Sequence, residues 1–272
     1  MVRLLLFVAI AAALPAQSLR VLTFNVRYPA KEDGPNAWEF RKDLLVEAFR
    51  AMDPDLVGTQ ELYAAQGDYI VARLPEYEWF GLNRRPGMTD EHMGVFFRRS
   101  RLRLLDAGNF WLSETPEQPG SMSWNVSLPR LVTWGVFEIM GTGRRFRFFN
   151  THFAHRREDE EARKNSARLI AQQIASLPQE EIFLMTGDFN APAGGEVYRI
   201  LVPGIQDAWE KAARRSGPEG TFHGFSGKPG AARIDWILFR GPLKAREAET
   251  TTWNQNGRYP SDHFPVFAIF DF

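Results

Sequence analysis

The chain has 272 residues, with 33 Lys and Arg balanced by 33 Asp and Glu, 44% hydrophobic residues and no cysteine. That composition excludes a disordered chain, and the missing thiols exclude disulfides, thiolate metal sites and a cysteine nucleophile. A formal charge of zero removes the simplest argument for a nucleic-acid partner, which needs excess positive charge against phosphates.

The first element is residues 1–16, MVRLLLFVAIAAALPA, where one arginine precedes an apolar run over residues 4–14. The run is shorter than the ~20 residues that span a bilayer. It has the pattern of a secretory signal peptide, cleaved after Ala16 or, alternatively, after Ala13. Residues 17–272 are then expected as one mature domain, secreted or periplasmic, with a bacterial setting favoured by the absence of cysteine. No later apolar run is long enough for a membrane span.

Strand-like runs rich in Val, Ile, Phe and Thr occupy residues 19–26, 55–60, 94–98, 131–139, 145–153, 182–186, 234–239 and 264–270, several alternating with period two. Helical spacing intervenes at residues 38–52, with apolar side chains at 38, 40, 44, 45, 48, 49 and 52. It returns at 158–177, which opens on acids as a helix N-terminus prefers. Turn-rich segments lie at 84–92 and 113–129. Mixed strands and helices without a repeat or linker predict one α/β domain with two packed sheets.

The carboxylates, amides and histidines gather at strand ends. Asn25 ends the first run and Glu61 follows the second; Asn150 and His152 interrupt RRFRFFNTHF; Asp188 and Asn190 close FLMTGDFNA; Asp235 lies in RIDWILF; Asp262 and His263 precede the last run. Short polar groups held by rigid apolar strands make a preorganised site. Glu61, Asp188 and Asp262 offer hard oxygen donors suited to Mg²⁺, Mn²⁺ or Ca²⁺. A histidine with a carboxylate partner deprotonates water near neutral pH, and amides with an arginine hold the charge that develops on phosphate. Together these groups point to metal-assisted phosphoester hydrolysis.

The motifs TFN at 23–25, TQE at 59–61, NTHF at 150–153, GDFNA at 187–191, RIDWI at 233–237 and SDHFPV at 261–266 resemble those of the endonuclease/exonuclease/phosphatase, or DNase I-like, superfamily, in the same order. The resemblance implies a four-layer α/β/β/α sandwich of two packed mixed β-sheets, with the site at one edge. It makes Glu61 the principal metal ligand, with Asn25 beside it as a further ligand and at the phosphate, and Asp262 near the metal. Asp188 and Asn190 orient water and bind phosphate, and His263 is the general base held by Asp235. His152 resembles the second histidine of the DNase I branch, Glu91 its partner, and Arg130 a phosphate-contacting arginine. Longer stretches such as AWEFRKDL, LPEYEWFG and NGRYPSDHFP are similar to an exported bacterial subgroup. Two departures stand out: Arg27 sits where the repair-endonuclease branch carries an acid, and Ala154 where relatives often show one.

Other residues are less determined by their neighbours in sequence. His155 belongs either to the mouth of the site or to an exposed loop, His223 reads as a loop residue, and His92 as surface. Arg84, Arg85, Arg156 and Arg157 lie in loops near the motifs, within reach of a phosphorylated substrate, and Trp124 is the candidate aromatic platform. Asn150 joins the substrate-binding set through NTHF. The leading expectation is an exported Mg²⁺-dependent enzyme hydrolysing a phosphodiester or phosphomonoester, from a phosphorylated small molecule or a phosphodiester substrate, with nucleic acid among the possible partners. The alternatives are a nonspecific extracellular nuclease acting on DNA or RNA, and a catalytically silent binding protein on the same fold.

Overall fold

The computed structural model describes residues 18–272; the expected signal peptide, residues 1–16, lies outside the described residues. In chain order the elements are β1 (Ser18–Asn25), α1 (Trp38–Met52), β2 (Leu56–Gln60), α2 (Ala64–Arg73), β3 (Tyr77–Phe80), β4 (Val95–Arg98), β5 (Leu102–Trp111) and β6 (Leu131–Ile139). They continue with β7 (Arg145–His152), α3 (Glu160–Ala175), β8 (Ile182–Asp188), α4 (Glu196–Leu201), β9 (Gln206–Asp207) and α5 (Ala208–Lys211). The last four strands are β10 (Arg214–Ser216), β11 (Asp235–Arg240), β12 (Lys244–Thr250) and β13 (Val266–Asp271).

One sheet has seven strands in the order β10-β12-β13-β1-β2-β4-β3; the other has six, in the order β5-β6-β7-β8-β11-β9. Both are mixed, with β1 parallel to β2 and β7 parallel to β8, and antiparallel neighbours on either side. Period-two alternation in β1 sorts its side chains between two cores. Leu19 and Val21 pack between the sheets with Leu56, Phe137, Phe148 and Ile237, while Leu22 and Phe24 face Phe49 of α1 and Ile70 of α2. A third core sets Ile170 and Ile174 of α3 against Phe149, Phe183 and Met185. Each such buried side chain contributes roughly 1.5–3 kcal/mol relative to exposure. The layer order is helix, sheet, sheet, helix, the expected sandwich. Among the described residues no helix is long and apolar enough to cross a membrane.

Two long strands carry no strand-like periodicity in the sequence. β5 and β12 are both bulged, between Leu104 and Asp106 and between Ala245 and Glu247. The charged β12 and the partly exposed β5 become strands by pairing with β13 and β6 rather than by local propensity. The helix expected over 158–177 is shorter. Arg157–Asp159 form a 3₁₀ turn and α3 begins at Glu160, because Arg156 bonds Asp159 and tightens that turn.

The topology sets the place of the site. Parallel neighbours need a crossover, supplied by α1 between β1 and β2 and by α3 between β7 and β8. Their four C-terminal ends therefore emerge at one edge, where ligands of open α/β sheets bind.

Candidate active site

Register across the six-stranded sheet pairs His152 with Asp188, and Asp188 with Asp235. Residues distant in sequence thus stand in one row at the sheet edge. His263 joins the row from the segment before β13: its Nδ1 lies 3.0 Å from Asp235 Oδ2 and its Nε2 3.8 Å from Asp188 Oδ2. Asp235 orients the ring and leaves Nε2 toward Asp188. Asp188 accepts the Asn190 backbone N–H and the Asn25 Nδ2, each at 3.0 Å. Asn190 donates Nδ2 to the Phe153 carbonyl at 3.1 Å and to His152 Nε2 at 3.0 Å. Accepting that bond requires an unprotonated Nε2, so His152 carries its hydrogen on Nδ1. His152 Nδ1 has no hydrogen-bond partner, and Glu91 Oε2 stands 3.9 Å away. The expected Glu91–His152 pair is adjacent but not bonded, because Arg84 Nη1 holds the same Glu91 oxygen at 2.9 Å.

The seven-stranded sheet supplies the other side. Asn25 Nδ2 also donates to Glu61 Oε1 at 3.0 Å, and its Oδ1 accepts the Arg27 N–H at 3.0 Å. The amide thus presents hydrogens to Glu61 and Asp188 rather than an oxygen to a metal. Asn25 positions two carboxylates and is not placed as the ligand the resemblance implies. Glu61 Oε2 accepts the Tyr28 N–H at 3.2 Å. Beneath this loop lies the buried Arg41, whose guanidinium donates to the carbonyls of Val26 at 2.7 Å, Arg27 at 2.6 Å and Pro260 at 3.0 Å. It ties the loop after β1 to the segment that carries Asp262 and His263. Arg27, Glu61 and Asn190 all have left-handed backbones, with φ of 55°, 59° and 48°. Each costs on the order of 1 kcal/mol in a non-glycine residue, and such strain gathers at functional sites.

The electrostatics follow from crowded, buried carboxylates. Burial and the neighbouring charge of Asp235 push Asp188 up to about 7; burial and Glu61 do the same for Glu91, also to about 7. Burial raises Asp262 despite the His263 charge beside it. Burial by itself lowers His263, but Asp235 and Asp188 outweigh it and hold the imidazolium up to about 10. His152 behaves oppositely, since burial and the charges of Arg130 and Arg84 keep it neutral, well below the usual histidine range.

These groups border a cleft of about 900 Å³. Glu61, Asp188, Asp262, Glu91, His152, His263, Asn190, Arg130 and His155 all line it. Arg130 is 4% exposed; its Nη2 lies 3.0 Å from His155 Nδ1, and its Nε and Nη1 have no partner. Asn150 is not in the cleft. It is fully buried between the sheets, where Oδ1 accepts from Gln60 at 2.8 Å and Thr186 at 3.0 Å, and Nδ2 donates to the carbonyls of Thr59 and Gly94 at 2.8 and 3.1 Å. With every site used, Asn150 is a bolt between the sheets rather than a substrate contact. Gly58 makes room for it: a Cβ there would lie 2.5 Å from Asn150 Oδ1.

Trp124 is likewise absent from the lining, to which its loop contributes Leu128. The aromatic wall is Phe222, which is 46% exposed and packs edge-on to the His263 ring at 5.1 Å, together with Tyr28 and Tyr63. His223 turns away and stacks on Phe264 at 3.9 Å. Sequence reasoning missed Phe222 and Arg41. The bridge pairing of Phe222 with His263 needs the fold, but Arg41 left a signal: a charge at 41 sits on the same helical face as Trp38 and Leu45.

The donor set fits a hard divalent cation. No lysine or arginine hydrogen-bonds Glu61, Asp262 or Asp188 among the described residues, so buried negative charge there lacks a bonded counterion. Glu61 and Asp262 would hold the ion. Asp188, Asp235 and His263 also place donor atoms within 4.8 Å of one another, but His263 Nδ1 and Asp235 Oδ2 are bonded to each other, which suits the trio to proton transfer.

Residues 22–263 match the model of the endonuclease/exonuclease/phosphatase family. The chain belongs to this family. Its members are metal-dependent phosphoester hydrolases, and the matched segment runs from β1 to His263. Among solved structures, an endonuclease/exonuclease/phosphatase from Bacteroides vulgatus is 34% identical, covering 94% of this chain and 99% of that one with a TM-score of 0.88. A mannosyl-6-phosphatase from Bacteroides thetaiotaomicron is 30% identical, covering 93% of this chain and 100% of that one with a TM-score of 0.86. Tyrosyl-DNA phosphodiesterase 2 of Danio rerio is 25% identical over 237 residues, 80% of this chain and 58% of that protein. The chain thus spans less than two thirds of the length of that relative.

Proposed function

We propose that this protein is an exported, divalent-metal-dependent phosphoesterase whose substrate is a phosphate monoester of a small hydroxylated molecule, a sugar phosphate above all. The observation that carries the reading is the row His152, Asp188, Asp235 with His263 beside it, facing the carboxylates of Glu61 and Asp262 in one cleft. His263 Nε2 takes a proton from the attacking water as the water oxygen bonds to phosphorus, and Asp235 stabilises the imidazolium that results. Asp188 and Asn190 orient that water. The Arg130 guanidinium, which lines the cleft, supplies positive charge for phosphate oxygens. The ester P–O bond breaks, releasing the alcohol and inorganic phosphate. A divalent ion, Mg²⁺ first with Mn²⁺ or Ca²⁺ also suited to oxygen donors, would be held by Glu61 and Asp262 and would supply positive charge against the phosphate and against the imidazolium of His263.

A small ester is favoured over a polynucleotide because three of the four loop arginines are already paired. Arg84 bonds Asp90 and Glu91, Arg85 pairs with Asp90, and Arg156 with Asp159. These loops therefore offer little free positive charge to a phosphate backbone. The likeness to a mannosyl-6-phosphatase over nearly the whole chain supports the same choice. Export rests on residues 1–16.

A panel of sugar phosphates, inositol phosphates, nucleotides, RNA and plasmid DNA, run with Mg²⁺, Mn²⁺ or chelator, tests the reading. Metal-stimulated release of phosphate from sugar phosphates, with plasmid left intact, is the expected result. Plasmid cleavage with a steep salt dependence and no sugar phosphate turnover would establish the nuclease instead. Failure to hydrolyse any member of the panel, p-nitrophenyl phosphate or bis(p-nitrophenyl) phosphate would mean a silent binding protein. N-terminal sequencing of the exported protein should begin at Gln17, and an uncleaved cytoplasmic chain would refute export.

A further inference from the structure

One cation of the cleft has no part in the proton row. Arg27 Nη1 lies 3.8 Å from Glu61 Oε2 and its Nε 3.8 Å from Asp262 Oδ2, too far for hydrogen bonds but close enough for a substantial Coulomb term. The placement is held from several sides. The left-handed backbone at φ 55° is fixed by the N–H bond to Asn25 Oδ1. The carbonyl accepts from Arg41 at 2.6 Å and from Gln66 at 3.0 Å. Asp33 grips Nε and Nη2 in a fork at 2.9 and 2.8 Å, and the Tyr28 ring lies 4.5 Å from the guanidinium carbon. The fork leaves Nη1 over, on a side chain that lines the cleft and is 22% exposed.

Glu61 and Asp262 are the two carboxylates of this tip that line the cleft, and one divalent ion neutralises the two charges they carry, while Arg27 is paired with Asp33. A second ion in the same space would meet a fixed guanidinium rather than a free carboxylate. In two-ion sites the second metal clamps an oxygen of the transferring phosphate; a planar guanidinium with a free edge does that with hydrogen bonds instead.

Resting on the reading of the site as a metal-dependent phosphoesterase, we propose that Arg27 is a resident cation of the metal centre: it restricts the centre to one divalent ion and clamps a phosphate oxygen of the substrate through Nη1. Calorimetric titration of the intact protein with Mn²⁺ alone, and of the Mn²⁺-saturated protein with inorganic phosphate, tests this. Wild type should take one Mn²⁺ per chain. Arg27→Gln should bind Mn²⁺ about tenfold more tightly or take a second ion, because a repelling charge is gone, while phosphate binds about tenfold more weakly. Arg27→Lys keeps the charge without the fork, so its Mn²⁺ affinity should stay within about twofold of wild type while phosphate affinity falls between the two. Unchanged or weaker Mn²⁺ binding by a folded Arg27→Gln protein would overturn the proposal. So would two Mn²⁺ per wild-type chain, a result that needs no variant to fold. Neither titration uses an ester, so the outcome is independent of which substrate the panel finds.

Discussion

The β1–α1–β2 unit of one sheet and the β7–α3–β8 unit of the other share a design, parallel strands joined by a helix with polar residues at the cleft edge. Their surroundings make them different instruments. At the tip of the first, Glu61 lies among cations and peptide groups: Arg27 at 3.8 Å, the Tyr28 N–H, and Arg41 bracing the loop carbonyls. At the tip of the second, Asp188 is surrounded by an amide, a peptide N–H, two histidines and the Asp235 carboxylate. The first can hold a metal ion without excessive repulsion between its carboxylates. The second surrounds Asp188 and His263 with buried carboxylates that raise both pKa values, which suits it to holding and moving protons. One scaffold thus supplies two chemistries through the partners of its strand tips.

The sharpest way to break this comparison is to disable one tip at a time. Asp188→Ala and His263→Ala should each lower kcat at least ~100-fold, the size of a general-base contribution, with Mn²⁺ affinity kept within about threefold. Glu61→Gln should instead weaken Mn²⁺ binding by at least ~10-fold. If kcat and Mn²⁺ affinity fall together in all three, the division of labour is wrong.

A smaller effect comes from Arg41, which braces the first tip from below. Arg41→Met leaves several buried carbonyls unpaired, at a cost of about 3 kcal/mol, which lowers Tm by roughly 6–12 °C. Thermal denaturation reads this directly, and an unchanged Tm would show that the bracing is dispensable.

Asn150 sharpens the comparison with the smallest effect on chemistry, since it bolts the two units together through Gln60, Thr59 and Thr186. Asn150→Ala should cost about 2 kcal/mol in stability and leave KM within about twofold. A tenfold rise in KM with unchanged Tm would return it to the substrate-binding set.

Local chemistry was readable wherever it was concentrated in short motifs. Glu61, Asp188 and Asp235 interrupt an apolar strand or follow one, and Asp262 and His263 sit just before the last. Trp124 and Asn150 were misplaced for the opposite reason. An aromatic in a loop or an amide in a strand suits many environments, and only contacts from distant segments select one. Phe222 and His223 show the point within two residues: alternation along an extended segment turns one into the cleft and the other away, and sequence does not say which.

By itself the sequence determined the layered α/β class, the strands that carry the site, and the identity of the groups that meet there. Period-two burial and the cost of unpaired charge operate within a few residues, so they are written locally. Tertiary structure alone decided that His152, Asp188 and Asp235 share a row, that Arg84 displaces His152 as the bonded partner of Glu91, and that Arg27 stands between two prospective metal ligands. Those are outcomes of strand register and sheet packing, in which each residue's partner lies in another segment of the chain.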